Sequence, residues 1–282
     1  MTGFNFHMHS NFSDGGKPAE AYVQEAIRQG MTDLGFSDHA PMPFINTFSI
    51  QPGNFEPYCL EINRLKNVYA DKLNIFLGLE IDFIPGMMDD FTRLIQQGKL
   101  DYSIGSVHLI GQGKEENLWF TDGPNIQTYD AGLQTFFGGD IRKAVKAFYH
   151  QTNQMIESQT FDVIGHFDKV KMHNQNRYFT EDEKWYVNLV FETLGLIKQK
   201  GLIVEVNTRG IYKKRSDSFF PSDFILSKMN ELDIPVIISS DAHQPEELQL
   251  LFGKAMEAVR KAGYHETMRL TKNGWVGVNI RM

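Results

Sequence analysis

Cysteine is nearly absent: Cys59 stands alone in 282 residues. A lone thiol excludes an intrachain disulfide framework and fits a reducing, cytoplasmic compartment. Positive charge is also scarce. Lys and Arg total 28 against 35 Asp and Glu, a net charge of −7. That balance argues against a nucleic-acid polymer as partner, because phosphate backbones demand clustered cations. No apolar run approaches the roughly 18 residues of a membrane span, so no membrane partner is expected. The opening MTGFNFHMHSNF has neither a basic n-region nor an apolar h-region, so no secretory signal is expected. Without such a signal the sequon Asn11-Phe12-Ser13 carries no meaning. The usual nucleophile motifs are missing too: there is no Gly-x-Ser-x-Gly elbow, and GQGKEE lacks P-loop spacing. Cys59 falls in a helical pattern, where packing is the expected role.

What the chain does have is a core. Hydrophobic residues make up 41%, with 22 Phe, which excludes intrinsic disorder. Seven short β-rich runs recur, at 4–9, 33–38, 74–83, 102–108, 161–166, 202–207 and 235–240. Helical patterns lie between and after them, at about 18–29, 54–70, 87–98, 140–158, 181–200, 222–232 and 245–262. Pro18 suits a helix start, Thr180 with Glu183 spells a capping box, and Gly30, Gly201 and Gly263 mark helix ends. Length alone suggests about two domains, but no linker interrupts the repeat. The alternation predicts an α/β fold, a distorted (β/α)7 barrel of TIM-like type forming a single domain over 1–282. The segment 275–280 (WVGVNI) is open between an eighth strand and an edge addition. One stretch breaks the regularity, a long loop at about 109–139, and loops of that length tend to be functional.

Chemistry-bearing side chains recur at the predicted strand ends. His7 and His9 end the first strand and Asp14 follows. His39 ends the second after Asp38, Glu80 lies on the third, His108 and His166 end the fourth and fifth, and Asp241 and His243 follow the seventh. In a barrel these ends form one mouth, where active sites lie. Residues i and i+2 of a strand share a face, so His7 and His9 can share an ion. Any one of these pairs alone carries little weight. Together they bring six His, two Asp and one Glu to one face, too many donors for one ion and enough for two or three divalent ions. Imidazole suits Zn, Fe and Mn, and carboxylate can bridge. The remaining histidines, His150, His173 and His265, are expected to be structural or solvated. A multinuclear site makes water nucleophilic at neutral pH, so hydrolysis is the implied chemistry.

The ordered motifs His7-Met8-His9-Ser10, Ser37-Asp38-His39-Ala40-Pro41, Gly78-Leu79-Glu80, Gly105-Ser106-Val107-His108, Ile164-Gly165-His166 and Ser239-Ser240-Asp241-Ala242-His243 resemble the polymerase and histidinol phosphatase (PHP) family from residue 4 to about 250. Within it the chain is most similar to the stand-alone histidinol-phosphate phosphatases, with Trp119, Asp122 and Val206-Asn207-Thr208 in support. The resemblance implies a trinuclear cluster of Zn, Fe or Mn. His7, His9, Glu80 and Asp241 would hold one ion. Glu80 would bridge to a second held by His108 and His166, and Asp14, His39 and His243 would hold the third. The implied reaction is hydrolysis of a small phosphorylated substrate, histidinol phosphate, by in-line attack of a metal-bridging hydroxide.

Further roles follow from position. Asp241 or His243 is the candidate acid for the leaving oxygen. A phosphate invites a fork-shaped donor; Arg209 is best placed, then Arg177, then Lys213. Trp119, Asp122 and Tyr129 of the long loop are candidates for the non-phosphate end. Competing readings are a metal-dependent amidohydrolase, a phosphoesterase acting on a nucleotide or sugar phosphate, and a catalytically inert relic. A homo-oligomer stays open.

Overall fold

The structure, a computed structural model, describes residues 3–123 and 125–280, so residue 124 of the expected 109–139 loop lies outside it. In chain order the elements are β1 (Phe4–Asn5), α1 (Ala19–Arg28), β2 (Asp33–Phe36), α2 (Phe55–Val68), β3 (Asn74–Asp82), α3 (Phe91–Gly98) and β4 (Tyr102–Ser106). A small hairpin, β5 (Leu109–Ile110) and β6 (Trp119–Phe120), leads to α4 (Ile126–Phe137) and α5 (Ile141–Ser158). Then come β7 (Val163–Ile164), α6 (Lys184–Lys200), β8 (Ile203–Asn207), α7 (Arg209–Tyr212), α8 (Asp223–Glu231), β9 (Val236–Ser239), α9 (Phe252–Lys261), β10 (Glu266–Thr271) and β11 (Gly274–Asn279).

Seven strands pair in parallel in the order β1-β2-β3-β4-β7-β8-β9. The two ends of the sheet meet through a parallel bridge between Met8 and Ala242, where the His9 amide donates to the Ala242 carbonyl at 2.8 Å. The result is a nearly closed, distorted (β/α)7 barrel, as the alternation predicts. Covered by helices outside and filled within, its strands are buried on both faces, which is why β8 and β9 are nearly continuous apolar runs. The N-terminal half of the barrel interior is apolar: Phe4, Phe6, Phe76, Tyr102, Ile104, Val163, Ile203 and Ile237 form one cluster. The C-terminal half is lined by the histidines and acids.

Segment 275–280 is neither an eighth barrel strand nor an addition to its edge. It contributes β11, which pairs antiparallel with β10 in a separate two-stranded sheet. That hairpin plugs the N-terminal mouth. Leu270 and Trp275 pack on the apolar cluster, with the Trp275 ring 5.6 Å from Phe6 and 6.1 Å from Tyr102. Its indole N–H donates to Asp162 at 3.2 Å, and Arg269 pairs with Asp33 at 2.8 Å, both at strand beginnings.

Other boundaries shift for local reasons. The expected 109–139 loop is largely structured: Asn125 caps α4 by accepting from the Thr128 amide, and Gly138 ends it in the left-handed region. The helix expected over 245–262 is split, because Leu251 adopts φ 63° between a 3-10 turn at Pro245–Glu247 and α9. Helix α3 begins at Phe91 rather than 87, after the Asp90 side chain accepts from the Arg93 amide. Only half of the Thr180/Glu183 capping box forms: Glu183 accepts from the Thr180 amide at 3.1 Å and is itself the cap of α6. Among the described residues no helix is long and apolar enough to cross a membrane.

Candidate metal centre

All nine expected donors converge on the C-terminal mouth, and Glu80 is at their centre. Its Oε2 lies 3.3 Å from His7 Nε2, 3.5 Å from His9 Nε2 and 3.1 Å from His39 Nδ1. Its Oε1 lies 2.9 Å from His166 Nε2 and 3.6 Å from His108 Nε2. Asp241 Oδ1 closes one side, 3.4 Å from both His9 Nε2 and His243 Nδ1. Asp14 closes another, with Oδ2 3.2 Å from His243 Nε2 and Oδ1 3.9 Å from His39 Nε2. Among the described residues, four groups of three or four donors lie within mutual reach: His9, Asp14, His39 and His243; His7, Glu80 and His166; His7, His9 and Asp241; His39, Glu80 and His108. Glu80 thus faces two donor sets with two different oxygens, the disposition of a bridging carboxylate.

The donor set fits two or three divalent ions on two counts. His7 Nε2, both ring nitrogens of His9 and His39 Nδ1 are buried without a hydrogen-bond partner. Buried polar atoms are rarely orphaned, and lone pairs aimed at a cation are a sufficient reason. The donor spacings also suit an ion. Zn–N bonds of about 2.0–2.1 Å in tetrahedral geometry put ligand atoms about 3.3 Å apart, in the middle of the observed range. Burial opposes ionisation of Glu80, yet His7, His108 and His39 hold it well below the ordinary carboxylate range.

The fold builds this geometry with a supporting layer. His7 and His9 flank Met8, which faces the core, so the pleat turns both imidazoles one way. Glu205 accepts from His7 Nδ1 at 2.5 Å and from the His166 amide at 2.9 Å. Asp82 accepts from His108 Nδ1 and from its amide, both at 2.9 Å. Each carboxylate fixes a tautomer that presents Nε2 to Glu80. Asp38 is not a donor to the cluster. It accepts from the Ser10 and Ser13 amides and hydroxyls, and so pins the turn that carries Asp14. Gly15 follows because a Cβ there would lie 1.9 Å from the His9 carbonyl. His166 and Asp241 both adopt positive φ, 21° and 51°, strain of the kind concentrated at functional sites.

Beside the cluster opens a cavity of about 220 Å³ lined by Asp14, His39, Thr47, Phe48, Glu80, His108, Phe120, Asp122, Lys169, Arg209, Arg215, Asp241 and His243. Of the expected substrate contacts, Arg209 and Asp122 are here. Arg209 donates to the Asp241 carbonyl at 2.8 Å. The other four are elsewhere. Arg177 is taken by Asp130, which accepts two bonds of 2.8 Å from it. Lys213 pairs with Glu247 away from the cavity lining. Trp119 is packed against Tyr129 and Phe137 beneath α4. Tyr129 is fully buried and donates to the Val170 carbonyl at 3.0 Å. All four sit near the mouth in sequence, but Arg177, Lys213 and Tyr129 have closer polar partners and Trp119 is buried by ring packing.

The acid role expected of Asp241 conflicts with its electrostatics, because His7, Arg209 and His9 keep it ionised against its burial. His243 Nδ1 faces the Asp241 carbonyl at 3.0 Å and its Nε2 faces Asp14 at 3.2 Å, an arrangement that accommodates a proton on the ring. His173 is structural, its Nε2 donating to the Gly123 carbonyl at 2.8 Å and steadying the turn next to Asp122; His150 and His265 are exposed.

Four functional candidates escaped the sequence reading. Glu205 and Asp82 carried a signal: each is an acid in an apolar strand, and Asp82 is two residues from Glu80 on the same face. Lys169 and Arg215 carried none. Lys169 is buried but stays protonated, because Asp122, Asp241 and Glu80 outweigh its desolvation.

A nearly closed parallel barrel with a buried His/Asp/Glu cluster and cations at its C-terminal mouth defines a metal-dependent barrel hydrolase. The PHP domain matches residues 5–209, and the chain belongs to that family. It is 26% identical over 283 residues to a histidinol-phosphatase of Lactococcus lactis, covering 97% of this chain and 98% of that one. A histidinol-phosphatase of Bacillus subtilis is 25% identical over 267 residues, covering 89% and 96%. A crystal structure of the Lactococcus lactis histidinol phosphate phosphatase complexed with Zn, L-histidinol and phosphate superimposes with a TM-score of 0.70 at 23% identity, covering 97% and 98%. A structure from Listeria monocytogenes superimposes with a TM-score of 0.78 at 23% identity, covering 89% and 99%. Family membership removes the amidohydrolase reading, which in any case leaves His39 and His243 without a role.

Proposed function

We propose that this chain is a metal-dependent phosphoric monoester hydrolase that converts histidinol phosphate and water to histidinol and phosphate, a step of histidine biosynthesis in the cytoplasm. The observation that carries the reading is the nine-donor cluster around Glu80 opening into a small cavity with Lys169, Arg209 and Arg215 on its wall. The histidinol-phosphatase relatives, aligned over nearly their whole lengths, supply the substrate.

In this reading His7, His9, Glu80 and Asp241 would hold one ion, Glu80, His108 and His166 a second, and Asp14, His39 and His243 a third. Zn, Fe and Mn suit those donors. When bound, the ions supply Lewis acidity, neutralising phosphoryl charge and making water nucleophilic at neutral pH. The protein's own contribution is positional. Glu205 and Asp82 hold His7 and His108 in the ligand tautomer. Arg209, tethered to the Asp241 carbonyl, sets a planar cation beside the cluster, where it can take two oxygens of a phosphoryl group. The ring pair Phe48 and Phe120, stacked with centroids 5.5 Å apart, walls the cavity with apolar surface suited to the non-phosphate end.

Phosphate release from histidinol phosphate, other phosphomonoesters and nucleotides, with metal measured in the same preparation, tests the proposal. Preference for histidinol phosphate supports it. Preference for a different ester by orders of magnitude refutes the substrate, and no release from any ester by metal-replete protein refutes the reaction class.

A further inference from the structure

Lys169 and Arg215 converge on a single carboxylate at the edge of the cluster. Lys169 Nζ lies 2.5 Å from Asp122 Oδ2, and Arg215 Nη1 lies 3.9 Å from Asp122 Oδ1. Lys169 is only 5% exposed. Asp122 Oδ1 is buried and accepts no hydrogen bond. All three residues line the same cavity as Arg209 and Glu80. A desolvated ion pair is a poor stabilising device, because its attraction barely offsets the hydration it loses. A half-satisfied one is poorer still. The arrangement makes sense if another anion takes over the cations.

We propose that Lys169 and Arg215, together with Arg209, grip the phosphoryl group, and that Asp122 is the internal competitor that occupies two of them when no phosphoryl group is bound. A phosphate dianion brings more charge than a carboxylate and has oxygens enough for all three cations, so it displaces Asp122 from Lys169. The displaced Asp122 stays close, and its repulsion lowers the affinity for every phosphate dianion, the inorganic product included. Lys169 and Arg215 are thus substrate-gripping residues, and Asp122 is a positioning residue that keeps the cations aimed at the cavity and hastens product release.

This inference rests on the phosphatase reading, so its test uses a binding measurement that does not need turnover. Inorganic phosphate is titrated calorimetrically into metal-loaded protein, with metal content determined for each variant. Lys169→Gln is expected to weaken phosphate binding tenfold or more with metal content unchanged. Asp122→Asn is expected to do the opposite, tightening phosphate at least threefold and slowing steady-state turnover through product release. Opposite signs are the signature, because a metal ligand or a purely structural ion pair would give loss in both variants. If Lys169→Gln fails to fold around an unpaired Asp122, the double variant Lys169→Met/Asp122→Asn removes both charges and must bind phosphate more weakly than Asp122→Asn alone. Phosphate affinity within twofold of the parent in Lys169→Gln, or weaker binding in Asp122→Asn, overturns the proposal. An unsubstituted protein that binds phosphate but hydrolyses no ester sinks the phosphatase reading and leaves this one standing.

Discussion

Replacing Glu205 by Gln keeps the shape of a buried side chain and removes its charge. The Glu205 oxygens accept from four groups: His7 Nδ1, the Ser239 hydroxyl, the His166 amide and Asn207 Nδ2. Burial opposes its ionisation, but His7 and His166 keep its pKa below the ordinary carboxylate value, so all four bonds are to an anion. A glutamine has one carbonyl oxygen, which accepts two of the four bonds, and an NH2 that must face the other two donors. With the NH2 toward His7, the imidazole must take the tautomer with hydrogen on Nε2, and the lone pair aimed at Glu80 is lost. With the NH2 turned away, it opposes the His166 amide and Asn207. Each buried donor left unpaired costs about 1–3 kcal/mol. Loss of one such outer partner typically weakens metal binding about 10–100-fold, or roughly 1.4–2.8 kcal/mol. Glu205 supports two donors at once, so Glu205→Gln is expected near the upper end. Metal per chain after dialysis against graded chelator measures the effect, and turnover should fall in proportion to metal lost. Metal affinity within a factor of three of the parent would refute the view that Glu205 sets the tautomer of His7.

Arg209→Ala should lower kcat/KM for the phosphomonoester by about 10²-fold, the usual effect of losing a donor aimed at developing charge. Arg177→Ala should leave kcat/KM within twofold and cost no more than about 0.2–1 kcal/mol of stability, as expected for its half-exposed pair with Asp130; a large KM change there would return Arg177 to the site. Trp275→Ala should destabilise the protein by about 2 kcal/mol by unpacking the N-terminal plug, less than a fully buried Trp because the ring is only partly covered. Denaturant unfolding reads that loss, while metal content should stay unchanged, since Trp275 is at the far end of the barrel. Burial pushes the Cys59 thiol up to about 11, so its thiolate fraction at pH 8 is about 10⁻³, and alkylation should run about two orders of magnitude slower than for a free thiol. Reaction at the rate of a small thiol would contradict the half-buried helical position.

The sequence was enough for the barrel because its signal is local and repeated: seven apolar strand runs alternating with helical periods leave few packings. It was enough for the nine candidate donors because each lies on the C-terminal part of a strand or in the segment just after it, and a parallel barrel sends all C-terminal strand ends to one mouth. Segment 275–280 stayed open in the sequence, since a short β-rich run looks alike whether it joins a barrel or pairs with its own neighbour. Only the packing of Trp275 against Phe6 and Tyr102 decides it. The second carboxylate layer was half legible, because Glu205 and Asp82 are acids in apolar strands, but only the folded chain shows which imidazole each one orients. The substrate pocket was the least legible part. Arg177, Lys213, Trp119 and Tyr129 sit near the mouth in sequence, yet Asp130, Glu247, the underside of α4 and the Val170 carbonyl claim them. Lys169 begins a three-residue 3-10 helix and Arg215 lies in a bend, both too short for a period to constrain a side chain. Periodicity fixes which strand a residue belongs to, and so it determined which candidate donors share the mouth. A loop cation's direction depends on which charge it meets first, and that is decided only in three dimensions.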